Sequence, residues 1–314
     1  MIPGLRALRV NQYRRAKDRG NDSEDRAMDH IANMQKFQEQ WHSAAHDYTV
    51  GSAHLKHRKL HQQLVFATKS ALRDVVARNL PRTVLEIGAG DGTLTEPILA
   101  AGFRTTATEM SRPSLDELKE RFDLNTAFSA VFDPDGSLRV LGQQRFALIL
   151  FVSVLHHIPD YISAIVTALR DHLLDGGALV CFQDPMWYPA QLWKDWLADG
   201  ACYFIWRVGQ GNYLRGAKTR LRRAFGTLSL VEPADVIEYH IVRSGVDQTK
   251  ILKMTNGVFE SVRLISYWAT PSGLLQTVGD RLGVRNRFGI VALGCIPSRL
   301  TNAYTEEYLQ SASQ

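Results

Sequence analysis

Cysteine is scarce in this chain: three among 314 residues, Cys181, Cys202 and Cys295. Three cysteines make no disulfide framework, and their positions give no metal-ligand spacing. Cys181 and Cys295 lie inside apolar runs, which suits buried thiols. Long apolar runs are missing as well. The longest, Phe146 to Leu155, falls short of the roughly 20 residues that a bilayer span takes. The opening stretch MIPGLRALRVNQYRRAKDRG is basic but lacks the apolar core and small-residue cleavage site of a secretory signal. Internal repeats and low-complexity tracts are absent too. The expectation is a cytoplasmic protein without a membrane span.

What is present is ordinary globular composition, 45% hydrophobic and 22% charged, in a chain long enough to bury a large core. The net charge is +5 and the pI about 9.1. The excess is patchy, concentrated in the first twenty residues and in RGAKTRLRRAF (215–225). Both read first as solvated helix faces, and no RNA-binding signature accompanies them. Nucleic acid is therefore not expected as a partner.

Residues 1–80 read as a helical N-terminal cap that ends at Pro81. Strands and helices then alternate. TVLEIGA, TTATEM, FSAVFD, RFALILFVSVL and ALVCFQ read as five strands. The helices between them include TEPILAAGF, with Pro97 in its first turn, and SLDELKERF, with a capping box from Ser114 to Glu117. Asp160 caps a helix whose Ile162, Ile165, Val166, Leu169 and Leu173 share one face. Asp175-Gly176-Gly177 is a turn into the fifth strand. This rhythm predicts right-handed βαβ units in a doubly wound α/β sheet.

After Gln183 the rhythm breaks. Residues 187–228 form an aromatic-rich interval that reads as a helical lid insertion over the carboxyl edge of the sheet, where open α/β sheets bind ligands. The core resumes in residues 229–314. A helix at about 233–244, a strand FESVRLISYWA, a helix PSGLLQTVGDRLG and a last strand FGIVALGCI are expected there.

The stretch VLEIGAGDGTLTEP (84–97) carries Gly88, Gly90 and Gly92 on alternate positions between a strand and a helix. The dinucleotide fingerprint is G-x-G-x-x-G, but here the last position, 93, is threonine. Glu86, two residues before the first glycine, would repel a pyrophosphate and attract an ammonium. Glu109 ends the second strand, where a carboxylate can accept from two ribose hydroxyls.

LEIGAGDG, the acid in ATEM, AVFDPDG and VSVLHHIPD occur in this order. Together they resemble class I S-adenosylmethionine-dependent methyltransferases, most nearly the quinone and natural-product sugar O-methyltransferases, over roughly residues 40–185. The resemblance implies a Rossmann-like, seven-stranded, mostly parallel sheet with a reversed last strand, of which residues 81–186 are the cofactor-binding part. It also implies S-adenosylmethionine as cofactor and S-adenosylhomocysteine as product. Gly88 and Gly90 would approach the methionine part, and Glu86 the ammonium, directly or through water. Glu109 would take the ribose hydroxyls, Met110 would pack on the adenine, and Asp133 would accept from the adenine amino group. Phe151 and Val152 would line the cofactor. Tyr48, in WHSAAHDYTVGS, would close over it, and His57 or Arg58 could meet its carboxylate.

The same resemblance makes His156, His157 and Asp184 the acid-base candidates, with one histidine as general base and Asp184 orienting the base or the acceptor. Histidine suits the role because its pKa is near neutrality. Trp187, Tyr239 and His240 are candidate substrate contacts. The i,i+4 pairs His42/His46 and His57/His61 lack an acid or cysteine to complete a set, so no metal is expected. The helical N-terminus offers a surface for a homodimer. The resulting expectation is methyl transfer to a small molecule, at a hydroxyl. The alternatives are a carbon or nitrogen acceptor, a nicotinamide-dependent oxidoreductase, or a non-catalytic cofactor-binding protein.

Overall fold

The computed structural model describes residues 52–158, 160–209 and 245–300. Two helices come first: α1, Ala53–Lys56, and α2, Arg58–Ala77. The alternation expected from the sequence then follows: β1 (Thr83–Ile87), α3 (Thr95–Ala100), β2 (Arg104–Glu109), α4 (Arg112–Phe122), β3 (Phe128–Phe132) and β4 (Phe146–Val152). After these come α5 (Tyr161–Thr167), β5 (Leu173–Pro185) and α6 (Trp193–Gly209). The closing elements are α7 (Gln248–Val258), β6 (Phe259–Tyr267), α8 (Gly273–Leu282) and β7 (Arg287–Cys295).

The seven strands form one sheet in the order β3-β2-β1-β4-β5-β7-β6. β1 to β5 pair in parallel, and β7 runs antiparallel to both its neighbours. This is the doubly wound arrangement with one reversed strand. The chain order changes direction between β1 and β4, which opens a crevice at their carboxyl ends.

Each face of the sheet buries its own apolar layer. Leu85, Ile149, Phe151, Leu179, Phe288 and Ile290 pack on one side with the inner faces of α5 and α7. Val84, Leu148, Leu150, Val180, Phe182 and Val291 pack on the other under α2 and α3. With both faces covered, the central strands read as almost continuous apolar runs. Cys181 and Cys295 are buried in the first layer. Among the described residues no helix is long and apolar enough to cross a membrane.

Local signals misplaced some boundaries. α4 starts a turn earlier than the Ser114–Glu117 box suggests: Ser111 is the N-cap, and its hydroxyl accepts from the Ser114 N–H. Asp160 caps α5 as expected, through the Ser163 N–H at 3.0 Å. The helix then loosens into a π-turn over Ala168–His172, so Leu173 opens β5 instead of extending the helical face. Asp175-Gly176-Gly177 lies inside that irregular strand start, where the register with β4 shifts. α6 lies in the interval expected as a helical insertion, α7 was not expected, and the helix expected at about 233–244 lies outside the described residues.

Candidate functional site

The carboxyl ends of β1, β2, β3, β4 and β5 converge. Register aligns Ile87 with Thr108 and Phe151, Glu109 with Phe132, and Val152 with Phe182. The residues singled out by sequence at the ends of these strands are therefore neighbours in space.

The glycine loop follows β1. Gly88, Gly90 and Gly92 all have positive φ, which explains the alternate spacing. Their surroundings differ. A Cβ on Gly88 would meet Val154 at 2.7 Å, and one on Gly92 would meet the Phe122 ring at 2.6 Å, whereas one on Gly90 would have nothing within 4 Å. Two of these glycines thus serve packing, and the third faces open space. Thr93, in place of the dinucleotide-type glycine, closes a turn onto Asp91: its N–H and its hydroxyl donate to that carboxylate at 3.0 and 2.8 Å.

Three buried acids surround the loop. Glu86 is 3% exposed and accepts from the Thr95 hydroxyl at 2.6 Å. Its carboxyl is pushed up from 4.5 to about 7, chiefly by burial, with Asp91 and Glu109 adding like charge. Glu109 accepts from the Gly90 N–H at 3.0 Å and the Met110 N–H at 2.9 Å. Burial raises its pKa despite these donors. Asp133 accepts from the Leu138 N–H at 3.1 Å and is raised by burial to about 6. An acidic, desolvated pocket of this kind favours a cationic ligand over a pyrophosphate.

The Glu86 shift makes a stability prediction. A folded-state pKa above the unfolded one favours folding at low pH, and that benefit is lost as pH rises through about 7. Glu86→Gln, neutral at every pH, is expected to match the parent in urea denaturation at pH 5. At pH 8 it should exceed it by roughly 1–3 kcal/mol. A difference that does not grow with pH would contradict the burial argument.

Beyond the loop, His156 and His157 fall in a 3₁₀ turn, Leu155–His157, after β4. The His156 Nδ1 lies 2.7 Å from Asp184 Oδ1, and the His156 backbone N–H donates to the same oxygen at 3.2 Å. When Asp184 is ionised it can only accept, so Nδ1–H is the donor and Nε2 carries the ring's lone pair. The His157 ring lies 4.2 Å from that of His156. Burial depresses the His156 pKa to about 3 and raises Asp184 to about 7. Both shifts favour a neutral imidazole, with the carboxyl group gaining or losing its proton near neutrality.

The other expected site residues differ in their surroundings. Phe151 is 1% exposed and belongs to the apolar core, while Val152 is half-buried on the opposite face. Met110 is half-buried beside Glu109. His57 contacts the Thr270 carbonyl through Nε2 at 2.6 Å, tying the start of α2 to the loop before α8. Trp187 donates its backbone N–H to Gln248 Oε1 at 3.0 Å as the chain leaves β5. Tyr48, Tyr239 and His240 lie outside the described residues.

α6 stands on the sheet edge with its polar side inward. Asp195 accepts from the Arg285 N–H and Asp199 from Asn286 Nδ2. Trp193, Trp196, Leu197, Phe204 and Ile205 are each at least half exposed. Four residues at the same edge escaped the sequence reading: His54, Gln183, Tyr267 and Arg287. Gln183 has φ +70 and accepts from the Tyr267 hydroxyl at 2.9 Å. Isolated polar residues of this kind carry no motif, and only the strand register brings them together.

A doubly wound sheet with a reversed strand, an alternate-glycine loop after β1 and buried acids at the ends of β1, β2 and β3 is the class I methyltransferase fold. Residues 58–208 match the family model described as "Methyltransferase domain". The chain carries a class I, S-adenosylmethionine-dependent methyltransferase domain.

The chain is 37% identical over 98 residues to a "Probable ribosomal RNA small subunit methyltransferase A" of Methanospirillum hungatei, covering 31% of this chain and 34% of that protein. It is 34% identical over 109 residues to the "Probable non-canonical nonribosomal peptide synthetase (NRPS) CymA" of Salinispora arenicola, covering 33% of this chain and 1% of that protein. The chain thus spans about a third or less of the curated relatives it matches. Among solved structures, the glycopeptide N-methyltransferase MtfA with S-adenosylhomocysteine is 27% identical, with a TM-score of 0.31, over 36% of this chain and 51% of that one.

Proposed function

We propose that the protein methylates a hydroxyl of a small-molecule acceptor, with the Asp184–His156 pair removing the hydroxyl proton. The observation that carries this reading is the 2.7 Å contact between Asp184 and His156 at the carboxyl ends of β4 and β5. Bound S-adenosylmethionine supplies an electrophilic methyl group. In this reading Gly88 and Gly90 approach its methionine part, Glu86 faces the ammonium, Glu109 takes the ribose hydroxyls, and Met110 and Asp133 hold the adenine. Val152 lines the same crevice, and Phe151 supports it from the core. Tyr48 and His57 belong to the N-terminal side of the site, and Trp187, Tyr239 and His240 to the acceptor side.

The chemistry of the chain's own residues follows from the pair. Asp184 holds His156 in the tautomer that presents Nε2, and an ionised Asp184 stabilises the imidazolium formed when Nε2 takes a proton. The His157 ring packs against the base at a 39° tilt. The division into a cap (1–80), a core (81–186 and 229–314) and an insertion (187–228) fits this arrangement. The bridge between Met186 and Val246 brings the two flanks of the excursion together beside β5. The exposed apolar residues of α6 favour an acceptor with an apolar or aromatic body.

The test is a panel of phenols, aliphatic alcohols, amines and indoles, with S-adenosylhomocysteine release measured between pH 6 and 8. Hydroxyl acceptors should turn over, with a rate that rises through about pH 7 as Asp184 loses its proton. Turnover of amines or indole carbons alone, with no pH rise, would replace the hydroxyl reading.

A further inference from the structure

A cation at this edge of the sheet is Arg287, the first residue of β7. Its backbone pairs with Pro185 of β5 and Tyr267 of β6. Asn286 fixes that position. It accepts from the Met186 N–H through its carbonyl (3.0 Å) and from the Ala269 N–H through its side chain (2.9 Å), and it donates to the Ala269 carbonyl and to Asp199. Arg287 is half-buried on this rigid knot. An arginine has five N–H donors. Among the described residues, only one hydrogen bond of the Arg287 side chain is found, from Nη1 to the Asn286 carbonyl at 3.2 Å, and no carboxylate forms an ion pair with it.

The guanidinium nevertheless sits among titratable groups. Its charge is felt by His156, Asp184, Tyr267 and His54. His54 lies on α1, 8% exposed, within electrostatic reach of both Asp91 in the glycine loop and Arg287. Its Nδ1 is buried and has no hydrogen-bond partner among the described residues. An arginine with donors to spare and a buried imidazole with an unfilled nitrogen therefore lie within electrostatic reach of each other. Leaving the buried His54 nitrogen unsatisfied is costly unless a ligand meets it, and the half-buried guanidinium has donors to offer the same ligand.

Sheet order decides whose ligand this is. Glu109 and Asp133 end β2 and β3, on one side of the glycine loop, and β7 lies two strands beyond β4 on the other. With the nucleoside end of the cofactor on the β2–β3 side, the corner at β5 and β7 falls to the acceptor. We propose that Arg287, with His54 beside it, binds an oxyanion of the acceptor, so that the substrates are hydroxylated compounds bearing a carboxylate or a comparable anionic group. Arg287 holds the anion in a charge-assisted hydrogen bond, and His54 Nδ1 donates a second one. The inference rests on the methyl-transfer reading above and adds the charge of the substrate.

The test uses protein saturated with S-adenosylhomocysteine and two probes of equal shape, benzoate and benzamide, followed through ¹⁵N signals of the arginine side chains and histidine rings. Benzoate should shift the Arg287 and His54 signals with a Kd on the order of 1–10 mM, and benzamide should not. Arg287→Met should weaken benzoate about tenfold or more, Arg287→Lys should recover part of the loss, and His54→Leu should cost about threefold. Affinity for S-adenosylhomocysteine should stay within about threefold in all three, and thermal melts confirm that each is folded.

Equal responses to benzoate and benzamide, or none, overturn the proposal. So does a loss of S-adenosylhomocysteine affinity in Arg287→Met with 5′-methylthioadenosine affinity unchanged, because the guanidinium would then hold the cofactor's carboxylate. Failure of the parent protein to bind S-adenosylhomocysteine at all would instead overturn the methyl-transfer reading, and this inference with it.

Discussion

Asp184→Asn should lower kcat by about 10²–10⁴-fold while leaving S-adenosylhomocysteine affinity within about threefold. Asparagine keeps the size of the side chain and can still accept from the His156 and Leu155 backbone N–H groups that now face the carboxylate. It cannot offer a negative charge to an imidazolium, and in one amide orientation it turns its NH₂ towards Nδ1 and reverses the tautomer. His156→Ala should cost a similar factor by removing the proton acceptor itself. The effects should not add, because the two residues act as one unit. Single-turnover rates in the parent, both single variants and the double variant decide the matter. If the double variant loses close to the product of the two single losses, Asp184 and His156 work independently and the pair mechanism is wrong.

Gly90→Val should abolish cofactor binding, with at least about a hundredfold loss of S-adenosylhomocysteine affinity, because a branched side chain would stand in ligand space at a positive φ. Gly90 has φ +58 and open space where its Cβ would point, and its N–H donates to Glu109 at 3.0 Å. The backbone strain is on the order of 1–3 kcal/mol, so the variant should remain folded but melt lower. Gly92→Val should act differently. Its Cβ would strike Phe122 at 2.6 Å and Leu118 at 2.9 Å, so the main loss should be in stability. Calorimetric titration beside urea unfolding separates the two cases. Loss of binding only together with unfolding in both variants would mean that Gly90, too, serves packing.

Much of this architecture was legible in the residue string because its signals are local. A buried parallel strand must be apolar along its whole length, and FALILFV is. A loop of alternating left-handed residues must be glycine at those positions, and Gly88, Gly90 and Gly92 are. Where two local signals competed, nearby context was not enough. Ser114 and Glu117 look like a cap, but Ser111, with Pro113 just after it, starts α4 a turn earlier. The run from Ile162 to Leu173 keeps helical spacing, yet Leu173 pairs with Phe146 across the sheet.

The site divides along the same line. Glu86, Glu109, Asp133, His156 and Asp184 were named from the sequence because each lies at or just past a strand end and accompanies a motif. That His156 meets Asp184 at 2.7 Å is a product of the β4–β5 register, 28 residues apart in sequence. His57, expected near the cofactor, touches Thr270, 213 residues away, a contact that no local signal shows.

The sequence by itself determined the strand-helix alternation, the glycine loop and the kind of methyl donor, because backbone conformation and strand burial constrain residues one by one. Tertiary structure alone decided that Arg287 stands within electrostatic reach both of His54, 233 positions away in sequence, and of the Asp184–His156 pair. That meeting depends on β7 running antiparallel between β5 and β6, and a pairing across the sheet leaves no periodic trace in the chain.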